Sequence, residues 1–518
     1  MTTATDVDVL IAGAGPTGLT LAIQLARGGV SFRLVDKAAE HFGGSRGDGI
    51  QPRTLEVFDD LGIIDTIMAT GRTAPLHKIY RAGEVVGEMR MAERVEPTAD
   101  VPYPNAYFVP QFRTERILRD RLAELGGKVE LDTELVGFEQ DTDGVDVLLR
   151  HGEGRQRLRA RYLVGADGGR SVVRRGLDLK FLGETDETAR MMLADVRAPG
   201  LDHELGYVFS SGDDPRAPTE FAAFTPLYGT YPDAYVFAGA APEEDSGITL
   251  DYLQGLVTKA ADPVEVRLTE LTWSTIWRLN VRMVERFQVG RVFLAGDAAH
   301  VHPPTGGQGL NTGVQDGYNL GWKLAAVLRG APADLLDTYE AERLPIAESV
   351  IVLANEIMEK HRRGDEDAHQ RGPETQQLLL NYRGGPLSRE LRTEPGGVRA
   401  GDRAPDARGQ SPDGRPLRIF ELLRGPWWTV LVFGRDAAAV VSEVNTDHGE
   451  QVHAYAVVEP GEPVDGKSIV DNEGLVRANY QVDGDALVGI RPDGYLAFAA
   501  DANAATEFAD HLKSVLAG

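Results

Sequence analysis

The sequence predicts an α/β fold in which a nucleotide-binding domain is interrupted by a mixed β-sheet domain and followed by a separate C-terminal unit. Three observations carry this. Residues 6–37 read strand, tight turn, helix, strand, with three glycines at the turn. Far downstream, Arg291-Val-Phe-Leu-Ala-Gly-Asp-Ala-Ala-His-Val-His-Pro-Pro-Thr-Gly-Gly-Gln-Gly-Leu-Asn311 reads as a buried strand, a glycine loop and the start of a long helix. Between them, residues 178–275 change to alternating strand-like runs such as 220–225 and 234–238.

The elements follow in order. Val7, Val9, Leu10 and Ile11 form the first strand, and Leu19, Ala22, Ile23 and Ala26 recur at helical spacing. Phe32, Leu34 and Val35 lead to Asp36. Residues 38–50 are a glycine-rich loop, and a helix is expected over 54–61. Residues 75–110 alternate weakly between prolines, as strands over a substrate region would. A helix over 114–125 is expected to open on a Thr114 cap. Residues 128–150 read as a hairpin turning at Asp141-Thr-Asp-Gly144, and 162–166 as a short strand ending in Asp167-Gly168. Two long helices are expected, from Gln308 to about Gly330 and over 335–360. Residues 360–410, charged and rich in Gly and Pro, read as a linker. The chain then restarts with strands at 427–433 and 451–458, helices at 437–444 and 506–515, and a hairpin at 487–500. The expected domains are 1–177 and 276–400 for the two parts of the nucleotide-binding unit, 178–275 for the substrate sheet with help from 75–110, and 401–518.

The first turn, Gly13-Ala-Gly15-Pro-Thr-Gly18, has the context that a Rossmann-like fingerprint requires. Gly13 permits the tight turn, Gly15 lets a pyrophosphate approach the backbone, and Gly18 lets helix and strand pack. The helix N-terminus adds free N–H groups and partial positive charge. Asp36, 23 residues after Gly13, is placed to accept ribose hydroxyls. Asp297, at the end of the second strand, can accept a hydrogen bond from a ribityl chain. Backbone N–H groups around Gly309, Leu310 and Asn311 can face a flavin pyrimidine edge and favour its reduced anion. Two such elements serving one ligand imply FAD, and therefore redox chemistry. Asp167-Gly168 alone is an ordinary strand-to-turn pair. Arg46 reads equally as a solvated loop residue or as a contact to flavin or substrate, and Gln111 is similarly open. Arg46, Tyr228 and Tyr231 are the candidates for a catalytic group. His300 and His302 lack a nearby carboxylate pair, so no metal is expected.

Bulk properties narrow the partners. The 518 residues are too many for one core, and two or three domains of roughly 100–200 residues are expected. A formal charge of −25 repels phosphate backbones and anionic lipids, so neither nucleic acid nor a membrane surface is expected as a partner. The absence of cysteine excludes disulfides and thiolate chemistry and is compatible with the cytoplasm. The N-terminus lacks a basic region before its short apolar run, and no stretch reaches the length of a membrane span.

Together these motifs resemble the class A FAD-dependent aromatic hydroxylases, the para-hydroxybenzoate hydroxylase-like group, and within it the phenol hydroxylase and polyketide-tailoring monooxygenases. The likeness covers about residues 6–350, through Gly13–Gly18, Ser45-Arg-Gly-Asp-Gly49, Pro110-Gln111, Gly165-Ala-Asp-Gly168, Gly296-Asp297, Pro304–Asn311 and Tyr339-Glu-Ala-Glu-Arg-Leu-Pro345. It implies a cofactor set of Gly13, Gly15, Gly18, Asp36, Lys37, Arg46, Gln111, Asp167, Asp297, Pro304, Gly307, Gly309, Leu310 and Asn311. Asp36 would hold the adenosine ribose, Arg46 and Gln111 the ribityl–pyrophosphate region, and Asp297 the ribityl chain. Asp167 would serve both FAD and a transient NADPH or NADH, for which the chain has no second fingerprint. The implied chemistry is flavin reduction, O₂ capture as a C4a-hydroperoxide and hydroxylation of a phenolic or heteroaromatic small molecule, with Baeyer–Villiger or epoxidising action on a polyketide as the alternative. A flavin-binding module without turnover is the reading from another class. A halogenase is disfavoured, because Trp273 and Trp277 have the wrong spacing for its signature. The tail from about 411 resembles a thioredoxin-like domain in which Gly-Arg-Asp-Ala-Ala follows Phe433 in place of CxxC. Such a domain would serve packing or subunit contact, and a homo-oligomer stays open.

Overall fold

The computed structural model describes residues 5–211, 220–242, 247–303, 306–363, 365, 370–501 and 504–516. Its first sheet sets the frame. Strand Val7–Ala12 pairs in parallel with Phe32–Val35 on one side and Gly154–Gly165 on the other. Gly154–Gly165 pairs in parallel with Val292–Leu294, and Phe32–Val35 with Val129–Glu130. Val9, Leu10, Ile11, Leu163, Val164 and Phe293 are fully buried, as strands covered on both faces require. The parallel order aligns the carboxyl ends of these strands, so the turns at Gly13, Asp36, Asp167 and Gly296-Asp297 meet at one edge. Ligands bind at that edge in open parallel sheets.

Helix Pro16–Arg27 starts with proline at its first turn and packs along helix Gly309–Leu328. Gly313, Gly317 and Gly321 repeat every fourth residue on the facing side. A Cβ on Gly317 would stand 2.5 Å from the Thr17 carbonyl oxygen, and one on Gly321 would stand 2.5 Å from Gln24 Cβ. The two backbones are therefore in near contact.

The second sheet has eight strands and includes Leu76–Arg81, Glu84–Met89, Leu182–Arg197, Leu205–Ser211, Glu220–Pro226, Ala234–Ala240 and Glu270–Met283. Its pairings are antiparallel except for Leu205–Ser211 against Leu76–Arg81. Alternation divides its faces: Met192, Ala194, Phe224, Tyr235 and Phe237 form a core beneath helix Leu250–Ala261, while Thr225 and Val236 face the opposite way, onto the cavity described below.

The third sheet also has eight strands, from Arg389–Glu390 to Pro416–Arg418, with Trp428–Phe433 in its interior. It is joined to the first unit by a buried ionic cluster. Arg491 Nη2 donates to Glu342 Oε2 at 2.9 Å, Lys323 Nζ to the same oxygen at 2.7 Å, and Asn319 Nδ2 to Asp493 Oδ2 at 3.1 Å. Arg491 and Glu342 hold each other's charge so well that burial is outweighed, and Glu342 is pulled down to about 2.

Two sequence expectations are corrected. The helix expected from Thr114 begins at Gln111, with Pro110 as its cap residue. The Pro110 carbonyl accepts from the N–H groups of Arg113 and Thr114, which puts Thr114 inside the first turn. Residues 370–377, read as linker, pack against the glycine loop of residues 306–309. Among the described residues no helix is long and apolar enough to cross a membrane.

The ionic cluster makes a stability prediction. Replacing Arg491 by Met leaves Asp493 without its ion pair and Glu342 with Lys323 alone, with an expected loss of about 3–5 kcal/mol. Chemical denaturation of the full chain, followed by far-UV circular dichroism, measures it.

Candidate functional site

One cavity of about 1780 Å³ occupies the edge where the turns meet. Single small-molecule pockets span roughly 300–1,000 Å³, so this one has room for a dinucleotide and a second molecule. The turns form one end of it. Leu76, Ile79, Thr225, Val236 and Trp277 of the second sheet form an opposite wall, and residues 88–95 and 370–376 border it.

The fingerprint glycines differ in what they do. Gly13 has φ +103°, and a Cβ there would collide with the Ala166 carbonyl. A Cβ on Gly18 would collide with the Gly13 carbonyl. Gly15 has ordinary φ −73°, and a Cβ there would meet nothing within 4 Å. That side opens onto the cavity, which Gly15 lines and Gly18 does not. Gly13 and Gly18 thus close the turn, while Gly15 leaves the approach that a pyrophosphate needs. Asp36 is fixed at the strand end by N–H donation from Ala14 at 2.8 Å and Ala38 at 2.9 Å, with Lys37 beside it on the cavity.

Asp297 lies deep in the protein, yet its side chain is exposed to the cavity. Burial raises its pKa, and His300 and Arg46 act in the opposite sense. Its turn is held from behind: Asp316 Oδ2 accepts from the Gly296 N–H at 3.0 Å and from His300 Nε2 at 2.8 Å, and Asp316 Oδ1 accepts from Arg343 Nε at 2.7 Å. His300 is thereby committed to Asp316. His302 lines the cavity, and burial pushes it down to about 4, so it is neutral.

Gly307, Gly309 and Leu310 line the cavity where helix Gly309–Leu328 begins. Asn311 does not. Its Nδ2 donates to the carbonyls of Gly49 and Gly307 at 2.8 and 2.7 Å, and its Oδ1 accepts from the Gln51 N–H at 2.8 Å. Asn311 therefore braces the loop. Pro304 lies outside the described residues. Arg46 lines the cavity with its guanidinium 4.8 Å over the Phe42 ring. Gln111 does too, donating through Nε2 to Glu115 Oε1 at 2.8 Å. Asp167 caps the next short helix through Oδ2, 2.6 Å from the Val172 nitrogen, and its Oδ1 has no hydrogen-bond partner among the described residues.

Tyr228 and Tyr231 are not brought to this cavity. Tyr228 packs against His203, and Tyr231 is 63% exposed beneath Arg197. Their place beside Thr225-Pro226-Leu227 made them candidates, but the chain turns away from the cavity after Thr225.

Other residues of the site went unmarked. Burial pushes Glu115 up to about 7 beneath the fingerprint, against the hydrogen bond from Gln111 and the charge of Arg119. Gln308 Nε2 donates to the carbonyls of Gly306 and Thr375 at 2.8 and 3.0 Å, and Gln377 Nε2 donates to Gln308 Oε1 at 2.6 Å. The adjacent glutamines Gln376-Gln377 in an otherwise charged stretch were the available signal.

These groups fit FAD. The open face of Gly15, the unpartnered Oδ1 of Asp167, the cavity-facing Asp297 and the helix start at Gly309 span one continuous space.

Comparison with known proteins agrees. The family model for an FAD binding domain matches residues 6–354, and one for the HcaD C-terminal domain matches 401–515. A flavin-dependent monooxygenase of Mycobacteroides abscessus is 44% identical over 492 residues, covering 94% of this chain and 96% of its own. The 6-methylpretetramide 4-monooxygenase of Streptomyces rimosus is 34% identical, covering 98% and 93%. The solved ternary complex of aklavinone-11 hydroxylase with FAD and aklavinone superposes with a TM-score of 0.80 at 30% identity, covering 99% of this chain and all of that one.

The glycine geometry separates folding from binding. Gly15→Val should keep the fold, within about 1 kcal/mol of wild type, and lose bound flavin. Gly18→Val should damage the fold itself. Visible absorbance of the purified protein and its thermal transition distinguish the two.

Proposed function

Because the chain belongs to the FAD-binding-domain family of flavin-dependent monooxygenases, we propose that it hydroxylates a polycyclic phenolic or heteroaromatic small molecule, using NADPH or NADH as transient reductant and O₂ as oxygen donor. The carrying observation is the single cavity that runs from the fingerprint turn to the apolar wall of Leu76, Ile79, Val236 and Trp277. When bound, FAD supplies hydride acceptance and oxygen activation. The protein's own residues hold, orient and shield. Asp36 would hold the ribose, Gly15 and its helix N-terminus the pyrophosphate, and Asp297 the ribityl chain. Backbone N–H groups at Gly309 and Leu310 are placed for the polar edge of the ring system. The apolar wall keeps water from the reacting face and offers Trp277 for stacking against an aromatic substrate. Thr225 Oγ1, 3.2 Å from His77 Nε2, is a wall hydroxyl able to orient a phenol. Relatives named as monooxygenases and hydroxylases do not favour Baeyer–Villiger or epoxidising action.

The same proposal covers the domains at 1–177, 178–275, 276–400 and 401–518. We read the last as thioredoxin-like. Supporting this, helix Ala437–His448 joins the parallel strands Trp428–Phe433 and Val452–Val458, followed by the antiparallel pair Ala486–Ile490 and Leu496–Asp501 and a closing helix. Without cysteine its role would be packing or subunit contact.

A panel of polycyclic phenols should stimulate NAD(P)H oxidation and yield a product carrying one atom of labelled O₂. Oxidation yielding peroxide alone with every compound would overturn the hydroxylase reading. Trp277→Ala should raise KM for the active compound by roughly 10–200-fold, the loss of one apolar pocket contact worth about 1–3 kcal/mol. Steady-state kinetics with varied substrate reads it.

A further inference from the structure

Two acids have no part in the binding roles above: Asp48 within the loop of residues 43–49, and Asp195 on the strand beneath that loop. Along strand Leu182–Arg197, Met192, Ala194 and Val196 enter the core under helix Leu250–Ala261, so Asp195 projects from the opposite face. Its cross-strand neighbour is Val236 and the next is Thr225, both on the cavity wall, and Trp273 flanks it on the other side. Asp195 is nevertheless only 2% exposed. Ser45 faces both Asp195 and the cavity-lining Asp48, and Gly44 presses on the Trp273 indole too closely to admit a Cβ. Both oxygens of Asp195, Oδ1 of Asp48 and Oγ of Ser45 are buried without a well-formed hydrogen bond among the described residues. Asp195 is faced by Asp48 and Ser45, and Asp48 by Ser45 and the Gln111 backbone.

Two carboxylates in such a place cannot both ionise cheaply, and one proton turns their repulsion into attraction. We infer that Asp195 and Asp48 hold a proton between them through Ser45, and that this proton seats the loop bearing Arg46 on the second sheet. Asp195 is then a positioning residue, acting on the flavin side of the cavity through the loop. The Phe42 ring stands edge-on to Trp273, and Arg46 lies over Phe42, so unseating the loop would move Arg46 relative to Asp297. Burial pushes Asp195 up to about 8, with Asp48 adding to the rise, and burial alone pushes Asp48 up to about 7. Because both values are raised, seating is fully present in acid. It weakens as pH rises past the ordinary carboxylate range and is lost above about 8, when the pair gives up its last proton.

Only the consequence for the cofactor rests on the functional reading; the seating does not. The test is hydrogen–deuterium exchange of the full chain at pH 6 and pH 9, corrected for intrinsic rates. In wild type, protection over residues 43–49 should fall about a hundredfold between the two, the effect of one bound proton over the two pH units from 6 up to its pKa of about 8, while helix Leu250–Ala261 stays constant. Asp195→Asn, a permanent mimic of the neutral acid, should keep its pH 6 protection at pH 9. If that variant does not fold, Asp48→Asn carries the same expectation. A pH-independent wild type, or a variant whose protection falls in parallel with it, overturns the inference. Failure of the flavin reading would show separately, as absence of bound FAD at both pH values.

Discussion

The parallel pairing of Val7–Ala12, Gly154–Gly165 and Val292–Leu294 is the constraint on which the site depends. Each strand ends in a chemically distinct turn, and only side-by-side parallel strands deliver those turns to one edge. The crossings between them are long. The first carries four helices, the hairpin of residues 133–151 and two strands of the second sheet, and the second carries five more strands of that sheet. The fold therefore spends most of its length returning to an edge that a few residues define. The glycines along helix Gly309–Leu328 serve the same end, because near contact with helix Pro16–Arg27 sets how close the second glycine loop can come to the first.

Charge in this molecule is managed by location. Acids facing the cavity are left open or part-satisfied, as Asp297 and Asp167 are, and remain available to a ligand. Acids behind the cavity are fully paired: Asp316 with His300 and Arg343, Glu342 with Lys323 and Arg491. Breaking such pairs costs far more than the pairs contribute over an apolar packing, so they specify how the parts are joined more than how stable they are. Asp195, buried off the cavity with neither oxygen hydrogen-bonded among the described residues, belongs to neither group.

What was legible in the sequence was local. The fingerprint, Asp36, Asp297 and the helix after Gln308 each depend on a few adjacent residues whose conformational needs are visible in their types. Gln377 and Asp195 were not legible, because their neighbours lie tens to hundreds of residues away, and Glu115 was not, because burial, more than its near neighbours Gln111 and Arg119, sets its state. Thr114 was misassigned as a cap because threonine's preference for that position competes with Pro110, whose fixed φ and free carbonyl start the helix earlier. Residues 360–410 were read as linker because charge, Gly and Pro report irregular backbone, which is a different property from exposure. Tyr228 and Tyr231 failed for the converse reason: aromatic residues beside a pocket strand say nothing about which way the chain turns.

The wall built by residues 370–376 lies beyond the end of the matched FAD-binding segment at residue 354. The nucleotide unit thus borrows part of its own enclosure from the chain that leads to the C-terminal sheet. A fragment ending at that border would keep its strands and glycines but leave the reaction chamber breached to bulk solvent. The segment of residues 370–376 is in this sense a stopper.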